Sequence, residues 1–294
     1  MASPDQRLPQ NVPGDFYVDA SCIDCGTCRE VAPSSFSDGR GTSFVHAQPS
    51  GDSETHRARM ALVACPVAAI GSVSRQPLQD ARSAFPEHID GGVYYCGYAS
   101  SGSYGARSYL IVRAGGNILV DSPRYTGTLV KRLRVLGGVR WMFLTHKDDV
   151  ADHRKFRDRF GCERILHRDD LTDDTRDVER VIEGDQPVPL NEEALIVPLP
   201  GHTAGSMGLL YRERFLFCGD HASWHAARRE IVASREVCWY DWQQQVRSME
   251  RLQELHFEWL LPGHGRRGQA AVTEMRAALQ RSVDRMHQGE RITE

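Results

Sequence analysis

Four short apolar runs, residues 141–144, 194–199, 215–218 and 259–261, each end in a corner that carries histidine or aspartate. No other feature constrains the fold of this chain as much. The corners read Thr145-His146-Lys147-Asp148-Asp149, Pro200-Gly201-His202-Thr203, Cys218-Gly219-Asp220-His221 and Pro262-Gly263-His264-Gly265. A short apolar run bounded by turn residues reads as a buried strand. Strand ends and the loops after them are where an α/β protein places its chemistry. Imidazole and carboxylate at four such ends point to a metal site.

A second metal-ligand pattern precedes these corners. Cys22, Cys25 and Cys28 form C-x2-C-x2-C, and Cys65-Pro66 follows a segment that reads as a helix beginning at a Ser53 cap. Three cysteines at two-residue intervals let one loop wrap three corners of an iron–sulfur cube, and a distant Cys-Pro closes the fourth. The unit resembles a bacterial-type ferredoxin with one [4Fe–4S] cluster held by Cys22, Cys25, Cys28 and Cys65. With no second C-x2-C-x2-C in the chain, Cys65 completes the only cluster. A zinc knuckle is the competing reading, and the Cys-Pro ending argues against it.

Bulk properties narrow the class. The 294 residues are enough for more than one domain. A net charge of −3 argues against nucleic acid or an anionic membrane as partner. The polar, proline-containing residues 1–13 lack the apolar core of a signal peptide, and the longest mostly apolar stretch, residues 60–70, is too short to span a bilayer. The expectation is a cytoplasmic protein whose scattered cysteines, Cys96, Cys162, Cys218 and Cys238, are free thiols.

The chain is expected to divide into a ferredoxin-like α+β domain (1–75), a polar linker (76–90) and an α/β domain (91–294). In the last, strands and a hairpin precede a helix over residues 126–136. A second helix is expected from about residue 150 to 160, with Asp149 as a possible cap and Asp152 in its first turn. Residues 169–177 read as an acidic surface stretch, and residues 240–255 carry a helical apolar stripe.

Together the four corners, in this order and strand context, resemble the metallo-β-lactamase fold. That resemblance implies an αβ/βα four-layer sandwich, two face-to-face sheets with helices on both outer faces. It also implies metal ligands. His146, Asp148 and His202 would take one ion, Asp220 would bridge two, and His264 would serve the second. The family's first corner is usually H-x-H-x-D-H, whereas this chain reads H-x-D-D-V-A-D-H. Asp148 replaces an imidazole. For the second ion, either Asp149 or Asp152 substitutes, or His153 reaches back, or the second site is weak or empty. His221 is expected to orient Asp220 rather than to bind metal, and His225 is a weaker candidate for substrate contact.

A carboxylate in place of an imidazole hardens the site and favours iron or manganese, with zinc still compatible. A ferredoxin unit moves single electrons, for which zinc has no use. The leading expectation is therefore an oxidoreductase in which the cluster feeds one or two irons that act on a small-molecule substrate. An electron donor such as a reductase would fill the cluster. The short linker raises a homodimer in which one chain's cluster serves the other's metal. The second expectation is a hydrolase of a thioester, lactone or phosphoester, with Asp149 or Asp152 taking the proton and the cluster structural or sensing. The third is a degenerate site serving as an electron-transfer scaffold.

Overall fold

The computed structural model describes residues 2–289, which divide into two compact units. The first comprises residues up to 141 and residues 151–162; the second comprises residues 142–150 and 163 onward.

The first unit begins with β1 (Phe16–Val18), α1 (Thr27–Val31), β2 (Phe36–Asp38), β3 (Ser43–Val45), α2 (Gly51–Ala64) and β4 (Ile70–Ser72). β1 and β4 pair antiparallel, and β2 and β3 form a hairpin. Tyr17 pairs with Gly71, where a Cβ would stand 2.4 Å from the tyrosine ring, so glycine makes room for the ring. Ser50, not Ser53, stands at the N-cap of α2. Glu54 accepts from the Ser50 amide at 2.8 Å and from its hydroxyl at 2.9 Å, which places Ser53 inside the first turn.

Residues 76–90 carry α3 (Gln79–Ser83) and β5 (Glu87–Asp90), and β5 pairs antiparallel with β6 (Val93–Tyr95). β7 (Tyr109–Ile111) and β8 (Ile118–Val120) extend this meander. α4 (Gly127–Val135) starts at Thr126, whose side chain accepts from the Leu129 amide. β9 (Trp141–Phe143) ends in the second unit, and α5 (His153–Phe160) returns to the first. α5 begins later than the apolar pattern predicts. Asp152 is its N-cap residue in a left-handed conformation (φ 54°), and residues 148–152 form a loop instead of a first turn.

The second unit contains β10 (Glu163–His167) paired parallel with β11 (Arg180–Ile182). β12 (Val188–Asn191), β13 (Ala194–Pro198), β14 (Met207–Tyr211) and β15 (Phe215–Gly219) run as an antiparallel meander. β16 (Ser223–His225) and β17 (Glu230–Val232) form a hairpin. After α6 (Trp242–Leu252) come β18 (Trp259–Pro262), β19 (Gly268–Gln269) and α7 (Val272–Gln288). β18 lies parallel to β15, giving a six-stranded sheet of order β12-β13-β14-β15-β18-β19. The buried stripes of α6 and α7, among them Val246, Met249, Leu279 and Val283, close over Val197, Leu216 and Leu260 of that sheet. No helix among the described residues is long and apolar enough to cross a membrane.

One polar contact braces the β10–β11 edge. The Arg164 guanidinium is 2% exposed; its Nε and Nη2 donate to the Glu179 carboxylate at 2.9 Å, and Nη2 also donates to the Asp177 carbonyl at 2.6 Å. Burial alone would raise the Glu179 carboxyl, but the Arg164 hydrogen bonds and charge outweigh it and hold it down at about 2. Because the folded value is depressed, the bond's contribution is complete above the ordinary value of 4.5 and is lost as pH falls toward 2. Arg164→Ala should cost about 3 kcal/mol, the low end for breaking a buried pair, since Glu179 keeps some solvent contact. Denaturant midpoints of wild type and variant should differ at pH 7 and converge as pH falls through that window.

Candidate metal centres

The second unit brings the ends of β9, β13, β15 and β18 to one place. Parallel pairing of β15 with β18 sets Gly219 opposite Pro262, so Asp220 and His264 emerge side by side. The Gly263 amide donates to the Gly219 carbonyl at 2.8 Å and locks the two corners. Both glycines are sterically required. A Cβ on Gly263 would lie 2.6 Å from Asp220 Oδ1 and 2.8 Å from Asp149 Oδ2; one on Gly219 (φ 51°) would lie 2.4 Å from Thr145 Oγ1.

The first two corners are joined by Asp170, which is fully buried. Its Oδ2 accepts from the Lys147 amide at 3.0 Å and from the Thr203 hydroxyl at 2.6 Å. Its Oδ1 accepts from the Gly205 amide at 2.8 Å. The sequence places this residue in an acidic surface stretch. The structure corrects that: one aspartate of the stretch turns inward because three donors from two corners converge on it.

His146 Nε2 lies 4.0 Å from Asp148 Oδ2 and 3.8 Å from Asp220 Oδ2, and His202 Nε2 lies 3.6 Å and 3.8 Å from the same atoms. Two donors on a tetrahedral ion with bonds of about 2.1 Å are about 3.4 Å apart, so this set needs only small adjustment to share a metal. The imidazoles are buried, and neither Nε2 has a hydrogen-bond partner among the described residues. Each Nδ1 is held instead. His202 Nδ1 is 2.5 Å from the Val237 carbonyl, which can only accept, so this nitrogen carries the proton and Nε2 presents its lone pair. His146 Nδ1 lies 3.0 Å from Thr145 Oγ1. Orphaned, inward-facing lone pairs beside carboxylates fit a cation.

Asp149 is buried and forms a second close group of potential donors with His146 and Asp220. His264 Nδ1 lies 2.8 Å from each Asp220 oxygen and belongs to neither close group. Asp152 is also outside both groups: its carboxylate accepts from the Tyr125 amide at 2.8 Å and from Lys155 Nζ at 2.5 Å. His153 is buried at the start of α5, and half-buried His225 accepts from the Arg228 amide at 3.3 Å. His221 is buried, and neither ring nitrogen has a hydrogen-bond partner among the described residues.

Electrostatics follow the geometry. Burial pushes the His146 imidazole down against the opposing pull of Asp220. Burial likewise pushes His221 down to about 3, so it is neutral at pH 7. The His202 imidazole, 3.6 Å away, holds Asp148 below the usual carboxylate range. Burial would raise Asp220, but the charge and hydrogen bond of His264, then His146 and His202, keep it well below. His146 is thus neutral at pH 7 and Asp148 and Asp220 are ionised, protonation states that ligate metal.

In the first unit, Cys22, Cys25, Cys28 and Cys65 line one cavity with Val18, Ile23 and Ile70. None of the eight cysteines forms a disulfide. The Ser43 amide donates to Cys22 Sγ at 3.4 Å and the Ala69 amide to Cys65 Sγ at 3.3 Å, the type of bond that stabilises cluster sulfur. Burial pushes the Cys28 thiol up to about 12, so a stable thiolate there needs a cationic partner. Four converging sulfurs in an apolar cavity with amide donors fit an iron–sulfur cluster. Gly105 (φ 87°) rests on this cavity: a Cβ there would lie 2.5 Å from Cys25 Cβ, and its carbonyl accepts from the Thr27 hydroxyl at 3.2 Å. Cys96 and Cys218 are buried, and burial pushes Cys96 up to about 12.

Thr145, Asp170 and the Val237 carbonyl are the supports that sequence reasoning missed. Thr145 and Asp170 carry only weak local signals, and a carbonyl carries none.

Residues 18–72 match the family described as the 4Fe-4S single cluster domain of Ferredoxin I. No curated protein sequence matches the chain. Several solved structures share its fold at low identity. An archaeal metallo-beta-lactamase superfamily protein from Sulfolobus tokodaii is 16% identical, with a TM-score of 0.50 over 70% of this chain and 90% of that one. A metallo-beta-lactamase from Pontibacter korlensis is 16% identical, with a TM-score of 0.51 over 68% and 97%. The DIM-1 metallo-beta-lactamase is 17% identical, with a TM-score of 0.50 over 69% and 97%. The chain thus carries a single-cluster 4Fe–4S ferredoxin domain at residues 18–72 and has the mixed α/β metallo-β-lactamase fold.

Proposed function

We propose that this protein is an iron–sulfur oxidoreductase in which the cluster passes electrons to a non-haem iron site built on His146, Asp148, His202 and Asp220. One observation carries the reading: a four-cysteine cavity and a His/Asp donor set with buried imidazoles occur in one chain. A cluster exchanges single electrons, and a redox-active second metal gives that exchange a use that zinc does not. The donor set agrees, because Asp148 and Asp220 supply hard oxygen ligands beside the two imidazoles.

The roles of the residues follow. Cys22, Cys25, Cys28 and Cys65 hold the cluster. His146, Asp148 and His202 hold the first iron, Asp220 is shared, and His264 with Asp149 serves a second ion. His202 is kept in the ligating tautomer by the Val237 carbonyl, and Thr145 holds the His146 ring. The substrate is a small molecule, and a reductase of the reducing cytoplasm supplies the electrons.

A hydrolase is the second reading, favoured by Asp149, a buried carboxylate beside His146 and Asp220 and suited to take a proton from an attacking water. Asp152, bound to Tyr125 and Lys155, is less suited to that role.

Metal content separates the readings. Anaerobically purified protein should hold about four cluster irons and about one or two irons without sulfide. Zinc in place of the latter would favour the hydrolase, and no metal beyond the cluster would sink both. His202→Ala should lose the non-cluster metal while the cluster's visible absorbance stays, and Cys25→Ala should do the reverse. Asp170→Asn should weaken non-cluster metal binding by about 10- to 100-fold, the usual effect of losing a supporting hydrogen-bond partner. Competition with a calibrated chelator reads this, and an unchanged affinity would show that Asp170 does not position the corners.

A further inference from the structure

Three large apolar side chains are left exposed within four consecutive positions: Val237 at 42%, Trp239 at 66% and Tyr240 at 57%. Single exposed apolar residues need no explanation, but a cluster of them beside a polar site marks a binding surface. This stretch is firmly held. The Trp239 and Tyr240 amides donate to the His202 carbonyl at 3.0 and 3.1 Å, and the Asp241 amide donates to the Gly201 carbonyl at 3.1 Å. The Cys238 thiol donates to the same Gly201 carbonyl at 3.1 Å. The Val237 carbonyl, in turn, is the acceptor for His202 Nδ1. The backbone that orients a metal-site imidazole therefore also carries the indole, whose ring centre is 6.3 Å from that of His202 at an interplanar angle of 57°.

An indole beside His202 and two-thirds exposed offers accessible apolar surface to a ligand. Asp148 on the same site is itself half-exposed, so the donor set is open to solvent. We propose that Trp239, with Val237 and Tyr240, forms a wall that packs against an aromatic or other planar apolar group of the substrate while an oxygen-bearing head group reaches the metal. The substrate class is then a small aromatic or apolar molecule with a carbonyl- or carboxylate-type head. The wall sets specificity and takes no part in the chemistry. This rests on the reading that His146, Asp148, His202 and Asp220 hold a metal.

The test uses the metal-loaded full chain and two probes that share a metal-chelating head, acetohydroxamate and benzohydroxamate, titrated by calorimetry. The phenyl ring should make benzohydroxamate bind about tenfold tighter, the scale of one aromatic contact plus its burial. In Trp239→Ala that preference should fall to about twofold or less, with acetohydroxamate unchanged; Trp239→Phe should restore most of it. Equal preference in wild type and Trp239→Ala overturns the inference while leaving the metal site standing. Failure of both probes to bind wild type contradicts the metal reading and the inference with it. A concentration-dependent dimer that Trp239→Ala abolishes, with the probe preference unchanged, would show that the wall is an interface between copies.

Discussion

Asp170 is the constraint on which the donor set depends. A buried carboxylate is tolerable only when its lone pairs are filled, and Lys147, Thr203 and Gly205 fill them. Those donors come from the corner that carries His146 and Asp148 and the corner that carries His202. One side chain thus ties together two segments far apart in sequence. The β15–β18 register and the Gly263–Gly219 hydrogen bond place the other two corners. What results is a donor set in which two buried imidazole nitrogens face carboxylates without hydrogen-bond partners among the described residues. An unsatisfied buried polar atom costs roughly 1–3 kcal/mol, a debt that a cation coordinated at Nε2 offsets.

The cluster cavity is built by different means. Its cysteines are local in sequence apart from Cys65, which the helix over residues 51–64 delivers. The surrounding apolar side chains keep water out, and backbone amides supply the polar contacts to sulfur. The loop over residues 100–105 meets this cavity through Gly105 and Thr27. The same loop accepts the Ala151 amide at Ser103 Oγ, 3.3 Å away.

The strand ends were legible because their signal is local. A short apolar run followed by Gly-His or Gly-Asp encodes both the strand and the space its donor needs, as Gly219 and Gly263 show. The four cysteines were legible for the same reason, and residues 18–72 match a single-cluster ferredoxin family. The start of the helix after the first corner was not, because tertiary demands override propensity there. Asp149 turns into the site, and Asp152 adopts φ 54° with its carboxylate on the Tyr125 amide. Asp170 was hidden by its acidic neighbours, which are exposed while it is buried. The Val237 carbonyl that orients His202 lies 35 positions away in the chain and is a main-chain atom, so no residue pattern announces it.

The central claim is that the second metal site exchanges electrons with the cluster. An anaerobic reductive titration of the metal-replete protein, followed by spin-counting of the cluster, tests it most directly. A cluster alone accepts about one electron per chain. The account predicts uptake beyond that first electron, with the additional equivalents lost when His202 is replaced by alanine. Uptake that stops at about one electron in the wild type, with non-cluster metal bound, would contradict it.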